Sequence, residues 1–110
     1  MTPEGKVKKR VKEILKELGA YYVMPVTGGY GNSGAPDFLV CYRGIFFGIE
    51  TKAKGGKVTA LQQKNLHQIQ ESGGQQIVVS EGNVEHLKDF LEIASYLSVQ
   101  NYKSTEGIKS

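Results

Sequence analysis

One stretch, Gly34 to Lys52, constrains the fold of the whole chain: G-A-P-D-F-L-V-C-Y-R-G-I-F-F-G-I-E-T-K. Two apolar runs, 38–42 and 45–49, flank the short turn signal Arg43-Gly44. A two-residue hairpin loop there pairs Tyr42 with Ile45, Val40 with Phe47 and Phe38 with Ile49. The same register sets Asp37 opposite Glu50. Side chains alternate faces along a strand. Phe38, Val40, Tyr42, Ile45, Phe47 and Ile49 therefore share one wholly apolar face, and Asp37, Glu50 and Lys52 share the other. A bulge at Arg43-Gly44 would instead move Asp37 out of opposition.

Like charges directly opposite one another destabilise a sheet. Two readings follow. Either this is a solvated strand end with Lys52 satisfying Glu50, or a cation sits between the carboxylates. Mg²⁺ suits the second reading, because it takes one or two carboxylates plus phosphate oxygens.

The chain has 110 residues, enough for one domain with a single core. No apolar run approaches membrane-span length, and the polar, basic start lacks a signal-peptide core. No membrane association and no small-molecule cofactor are expected. A single cysteine, Cys41, precludes an internal disulfide and suits a reducing cytoplasm, with a bacterial or phage-infected host cell as the expected setting. Cys41 itself is expected to pack as a small apolar side chain. The formal net charge of +3 leans toward an anionic partner.

Residues 3–18 read as a helix, capped by Thr2, opened by Pro3 and stopped at Gly19. Val7, Val11, Ile14, Leu15 and Leu18 form its apolar stripe. Lys6, Lys8, Lys9, Arg10, Lys12 and Lys16 crowd the rest, mostly as a solvated face. Lys6 and Lys9 are the better phosphate contacts, lying toward the same end as Glu4. Glu4 projects from the core-facing side of the first turn. It serves either the helix dipole or the site, as a third acidic group.

Residues 21–26 read as the first strand. Thr27 to Ala35 holds four glycines and is not a packed element. It lacks the Gly-Lys-Ser/Thr ending of a phosphate-binding loop. Its place just before Asp37 makes it a substrate-contacting loop, in which Tyr30 would stack on a base or sugar and Asn32 and Ser33 would reach phosphate oxygens. After the hairpin, Lys54 and Lys57 lie in a glycine turn, either for solubility or against a nucleic-acid backbone. Thr59 caps a helix to about Ser72, with Gln62, Leu66 and Ile69 inward. Gln62 is either a satisfied edge residue or reaches the polar face of the hairpin. Gln75 to Ser80 reads as a strand buried on both faces, and Asn83 as the cap of a last helix. His67 and His86 lack metal-ligand spacing. The expected order is α-β-β-β-α-β-α, an α/β fold with a mixed sheet flanked by helices. Residues 1–97 form the domain and 98–110 a polar tail, with Ser104 to Ser110 frayed or disordered.

Pro36-Asp37 followed by Glu50-Thr51-Lys52 resembles the PD-(D/E)XK nuclease motif. Gly34-Ala35-Pro36-Asp37, the acidic residue in the first helix and the helix opening Thr59-Ala60-Leu61-Gln62 are together similar to the stand-alone VRR-NUC (virus-type replication-repair nuclease) domain. The likeness covers roughly residues 2–92. It implies a restriction-endonuclease-like α-β-β-β-α-β core with an extra C-terminal helix. It also implies that Asp37, Glu50 and the Thr51 backbone carbonyl bind Mg²⁺, with Mn²⁺ able to substitute. Glu4 would join through a water, Lys52 would orient or deprotonate the attacking water, and Gln62, or its neighbour Gln63, would support the site. The resemblance further implies a DNA endonuclease acting on branched, flap or junction DNA in replication, recombination or repair, and a homodimer. The competing class is a non-catalytic DNA-binding or assembly module on a nuclease-like fold. Two facing carboxylates that repel phosphate argue against it.

Overall fold

The hairpin forms the middle of a four-stranded sheet. In a computed structural model, residues 1–26 and 34–106 are described, with side chains up to residue 98. The elements run α1 (Pro3–Leu18), β1 (Tyr21–Val23), β2 (Phe38–Tyr42), β3 (Ile45–Thr51), α2 (Ala60–Glu71), β4 (Gln75–Val79), a 3-10 turn (Val84–His86) and α3 (Leu87–Glu106). Strand order is β1-β2-β3-β4. The first two pairings are antiparallel and β3–β4 is parallel, as expected for strands joined through a helix. The fold is thus the expected mixed α/β sheet with flanking helices.

The hairpin register is the expected one, from Tyr42↔Ile45 through Val40↔Phe47 to Phe38↔Ile49. Arg43 and Gly44 both take positive φ, 51° and 82°, the sense that matches strand twist in a two-residue turn. No bulge intervenes. The Arg43 guanidinium lies 5.0 Å from the Tyr42 ring centre, so the non-glycine turn residue also covers an aromatic face.

The apolar face of the hairpin packs under α1 and α3. Phe38, Val40, Tyr42, Phe47 and Ile49 meet Val7, Val11, Ile14, Leu15, Leu87 and Leu91 in one buried cluster. Tyr22 tilts against Phe38, and Phe47 meets Phe90 edge-on. Thr2 caps α1 by accepting from the Gly5 N–H, and Gly19 ends it in the left-handed region. Arg10 donates from two nitrogens to both Glu85 oxygens, at 2.7 and 2.8 Å, tying α1 to the 3-10 turn. The second sheet face belongs to α2. Leu66 and Ile69 lie over Gly48, where a Cβ would stand 2.6 Å from Ile69 Cδ1.

Several expectations change. The first strand stops at Val23. β4 is an edge strand, and its Ile77 and Val78 are only half-buried, not covered on both faces. Cys41 is exposed, because it points to the α2 side of the sheet while α2 rests on β3 and β4. Asn83 does not cap the last helix. Its Oδ1 accepts from the Ser80 N–H and its Nδ2 donates to the Val78 carbonyl, closing the turn after β4. α3 runs on to Glu106 across the boundary expected at residue 98. Among the described residues no helix is long and apolar enough to cross a membrane.

Because Asn83 satisfies two half-buried backbone groups, Asn83→Ala should lower stability by about 1–2 kcal/mol. Urea unfolding should show a lower midpoint with an unchanged slope.

Candidate active site

Asp37 and Glu50 meet where the β2–β3 ladder ends. Asp37 stands one residue before β2, so its carboxylate is not fixed as a simple cross-strand partner of Glu50. Its Oδ2 instead accepts two hydrogen bonds from Thr51, 2.9 Å from the backbone N–H and 2.6 Å from the hydroxyl. Its Oδ1 lies 3.7 Å from Lys8 Nζ. The approach to Asp37 is set by packing. Gly34 and Pro36 are buried. A Cβ on Gly34 would lie 2.6 Å from the Leu61 carbonyl oxygen and the Asn65 amide, while Pro36 packs against Gly48. The glycine of G-x-P-D is therefore required because the chain passes flat against the first turns of α2 on its way into the site.

Glu50 is 2 % exposed, and its Oε2 has no hydrogen-bond partner. Burial, a hydrogen bond with Asp37 and the Asp37 charge push its pKa up to about 8, with Glu4 adding to the effect and Lys52 opposing it. Burial would also raise the Asp37 pKa, but hydrogen bonds from the Thr51 hydroxyl, Glu50 and the Thr51 N–H, with the Lys8 charge, bring it below its ordinary value. The two carboxyl groups therefore hold one proton between them near neutral pH, with Glu50 protonated and Asp37 ionised. The solvated-strand-end reading does not fit a glutamate this buried.

The orphaned Glu50 oxygen and the adjacent Asp37 carboxylate fit a hard divalent cation. Among the described residues no group of three or more His, Cys, Asp or Glu side chains could hold a metal. A cation would thus have two carboxylates, with further positions for a backbone carbonyl, water and phosphate oxygens.

The remaining expected residues divide by position. Lys52 follows β3, half-buried, with its N–H on the Val79 carbonyl and its charge felt by Glu50. Glu4 lies on the near flank of α1, its Oε2 3.6 Å from Lys8 Nζ. The Gln62 carboxamide oxygen accepts from the Thr59 N–H, while the Thr59 hydroxyl accepts from the Gln62 N–H. This is a reciprocal cap of α2, so that oxygen is engaged in the helix terminus. Gln63 is exposed. Lys54 and Lys57 are exposed in the turn after Lys52. Lys6 lines a groove with Pro3, Val7, Arg10, Glu81 and Val84, on the flank of α1 away from Lys8, and Lys9 faces outward. Tyr30, Asn32 and Ser33 lie outside the described residues. His67 is exposed and 3.1 Å from Glu71, and His86 is exposed.

Two contributors were not assigned from sequence. Lys8, grouped there with a solvated face, is the lysine of α1 that reaches Asp37. Its spacing of four from Glu4 was the available signal. The Thr51 hydroxyl orients Asp37, although only its backbone carbonyl was expected to serve.

No protein-family profile matches the chain, and no curated protein matches it. Among solved structures, the chain is similar to one described as a VRR_NUC domain, at 29% sequence identity and a TM-score of 0.68. The likeness covers 81% of this chain and 97% of that one.

Two outcomes test this geometry. Gly34→Ala should cost about 1–3 kcal/mol in chemical denaturation, since a backbone carbonyl must move to admit the methyl group. The Glu50 proton gives the second. The folded state keeps it up to about pH 8, whereas the unfolded chain releases it near 4.5. Between those values the unfolded state binds fewer protons, so stability falls as pH rises. In chelator-treated protein, Glu50→Gln should remove this part of the pH-stability profile, read as the difference between the two proteins.

Proposed function

We propose that this chain, whose nuclease-like fold is similar to that of a VRR_NUC domain, is a metal-dependent DNA endonuclease. The observation that carries this reading is the buried, unpartnered Glu50 oxygen beside an ionised Asp37. An acidic pair of this kind disfavours a phosphodiester unless a cation accompanies it. A binding module would gain nothing from burying it.

Asp37, Glu50 and the Thr51 carbonyl would hold Mg²⁺ or Mn²⁺, and Glu4 would contribute through a water. Such an ion would supply Lewis-acid stabilisation of phosphate charge and a water nucleophile near neutral pH. Thr51 holds Asp37 Oδ2, leaving Oδ1 turned toward the site. Binding a cation requires Glu50 to give up its proton, so occupancy weakens below about pH 8. Lys52 brings a compact positive charge next to Glu50, suited to orienting or deprotonating the attacking water and to steadying the phosphate. Gln62 would act on the site only indirectly, through the start of α2 that it caps with Thr59. Lys54 and Lys57, with the segment holding Tyr30, Asn32 and Ser33, would contact the DNA backbone and bases; Lys6, on the far flank of α1, and the outward-facing Lys9 are not among the proposed contacts. Branched, flap or junction DNA is the proposed substrate class. A homodimer would present two such sites to a symmetric junction.

Purified protein incubated with labelled linear, flapped and four-way DNA should cut in Mg²⁺ or Mn²⁺ and not in EDTA. Asp37→Asn and Lys52→Ala should each lower turnover by about 10²-fold or more while the fold persists. Absence of cleavage of every substrate with both metals would overturn the reading. Normal cutting by both variants would move the site elsewhere.

A further inference from the structure

We propose that Lys8 is the resident cation of the site: its ammonium occupies Asp37 Oδ1 in the metal-free protein and competes there with a divalent ion. This rests on the metal-dependent reading above. Thr51 directs both its donors to Asp37 Oδ2, while Oδ1 is the oxygen that faces the Lys8 ammonium. Lys8 Nζ stands 3.7 Å from that oxygen and 3.6 Å from Glu4 Oε2. One ammonium thus bridges Glu4 of α1 and Asp37 at the start of the hairpin. Both distances exceed hydrogen-bond length, in contrast to the 2.7 Å contact of Arg10 with Glu85. The bridge is electrostatic and exchangeable. Its lysine stem can withdraw without disturbing α1, because the core contacts of that helix belong to Val7, Val11, Ile14 and Leu15.

The two site lysines then have different tasks. Lys52 is anchored through its backbone to β4 and acts on Glu50. Lys8 comes from a separate element and acts on Asp37, holding it and Glu4 in place until a cation takes over. Lys8 is a positioning residue in this scheme, and its cost is weaker metal binding. Asp37 must exchange one positive partner for another.

The test is Mn²⁺ binding by the DNA-free protein, followed by calorimetry or by the loss of free-ion electron paramagnetic resonance signal. Lys8→Met and Lys8→Gln remove the charge, Lys8→Arg keeps it, and Lys16→Met removes a lysine from the far end of the same helix. The neutral Lys8 variants should bind Mn²⁺ several-fold to about tenfold tighter, the range for one partly screened charge at this separation. Lys8→Arg should stay near the parent protein, and Lys16→Met should be unchanged. Equal or weaker binding by the folded neutral variants overturns the role of Lys8 and leaves the metal site standing. Equal tightening by Lys16→Met also overturns it, by reducing the effect to net charge. If neither the parent nor any variant binds Mn²⁺, the metal-dependent reading fails and this proposal falls with it.

Discussion

The site depends on two hydrogen bonds that Thr51 donates to a single oxygen of Asp37. Asp37 precedes β2 and has no strand ladder to hold it. Thr51 ends β3, paired there with Val79 of β4. By taking Oδ2, Thr51 converts a side chain on a strand approach into a fixed acceptor with one oxygen turned outward. The like-charge clash with Glu50 is then relieved by protonation in the metal-free state, with Glu50 the proton holder because it is buried with an unpartnered oxygen while the Thr51 hydrogen bonds and the Lys8 charge keep Asp37 ionised.

Everything around this contact serves to hold it in place. The apolar hairpin face, buried under α1 and α3, specifies register, since a one-residue slip would turn Phe38, Phe47 and Ile49 toward the other face. The opposite face must admit α2, and Gly34 and Gly48 allow its close approach. α2 begins with a reciprocal Thr59–Gln62 cap, so the helix start is fixed where the chain from Lys52 returns. α1 brings Glu4 and Lys8 to one side of the site and Arg10 to Glu85 on the other. Opposite flanks of one helix therefore carry the site contacts and the structural clamp.

The chemistry follows from where charges end up. Around Asp37 and Glu50 lie one more acidic group, Glu4, and two lysines from different elements. A phosphodiester alone would meet a carboxylate pair, and a divalent cation alone would meet Lys8. Under the proposed metal-dependent reading, this arrangement would favour metal and polyanion arriving together, as in a hydrolase rather than a passive DNA-binding surface.

The sequence alone determined the hairpin, its register, the faces of its residues, the element order and the placing of Asp37 beside Glu50 with Lys52 just beyond. These follow from local rules: period-two alternation, turn chemistry and helix caps act over a few residues and leave their pattern in the chain. The N-cap at Thr2 and the stop at Gly19 were legible for the same reason. Tertiary structure decided the rest. That Cys41 is exposed depends on how far α2 reaches across the sheet. That Asn83 closes a turn instead of capping a helix depends on where β4 ends. That Asp37 leans on Thr51, that Glu50 keeps a proton, and that Lys8 and not Lys6 or Lys9 meets the site depend on the rotation of α1 and the depth of burial. Charge interactions and desolvation act through space between residues far apart in sequence, so no periodicity records them.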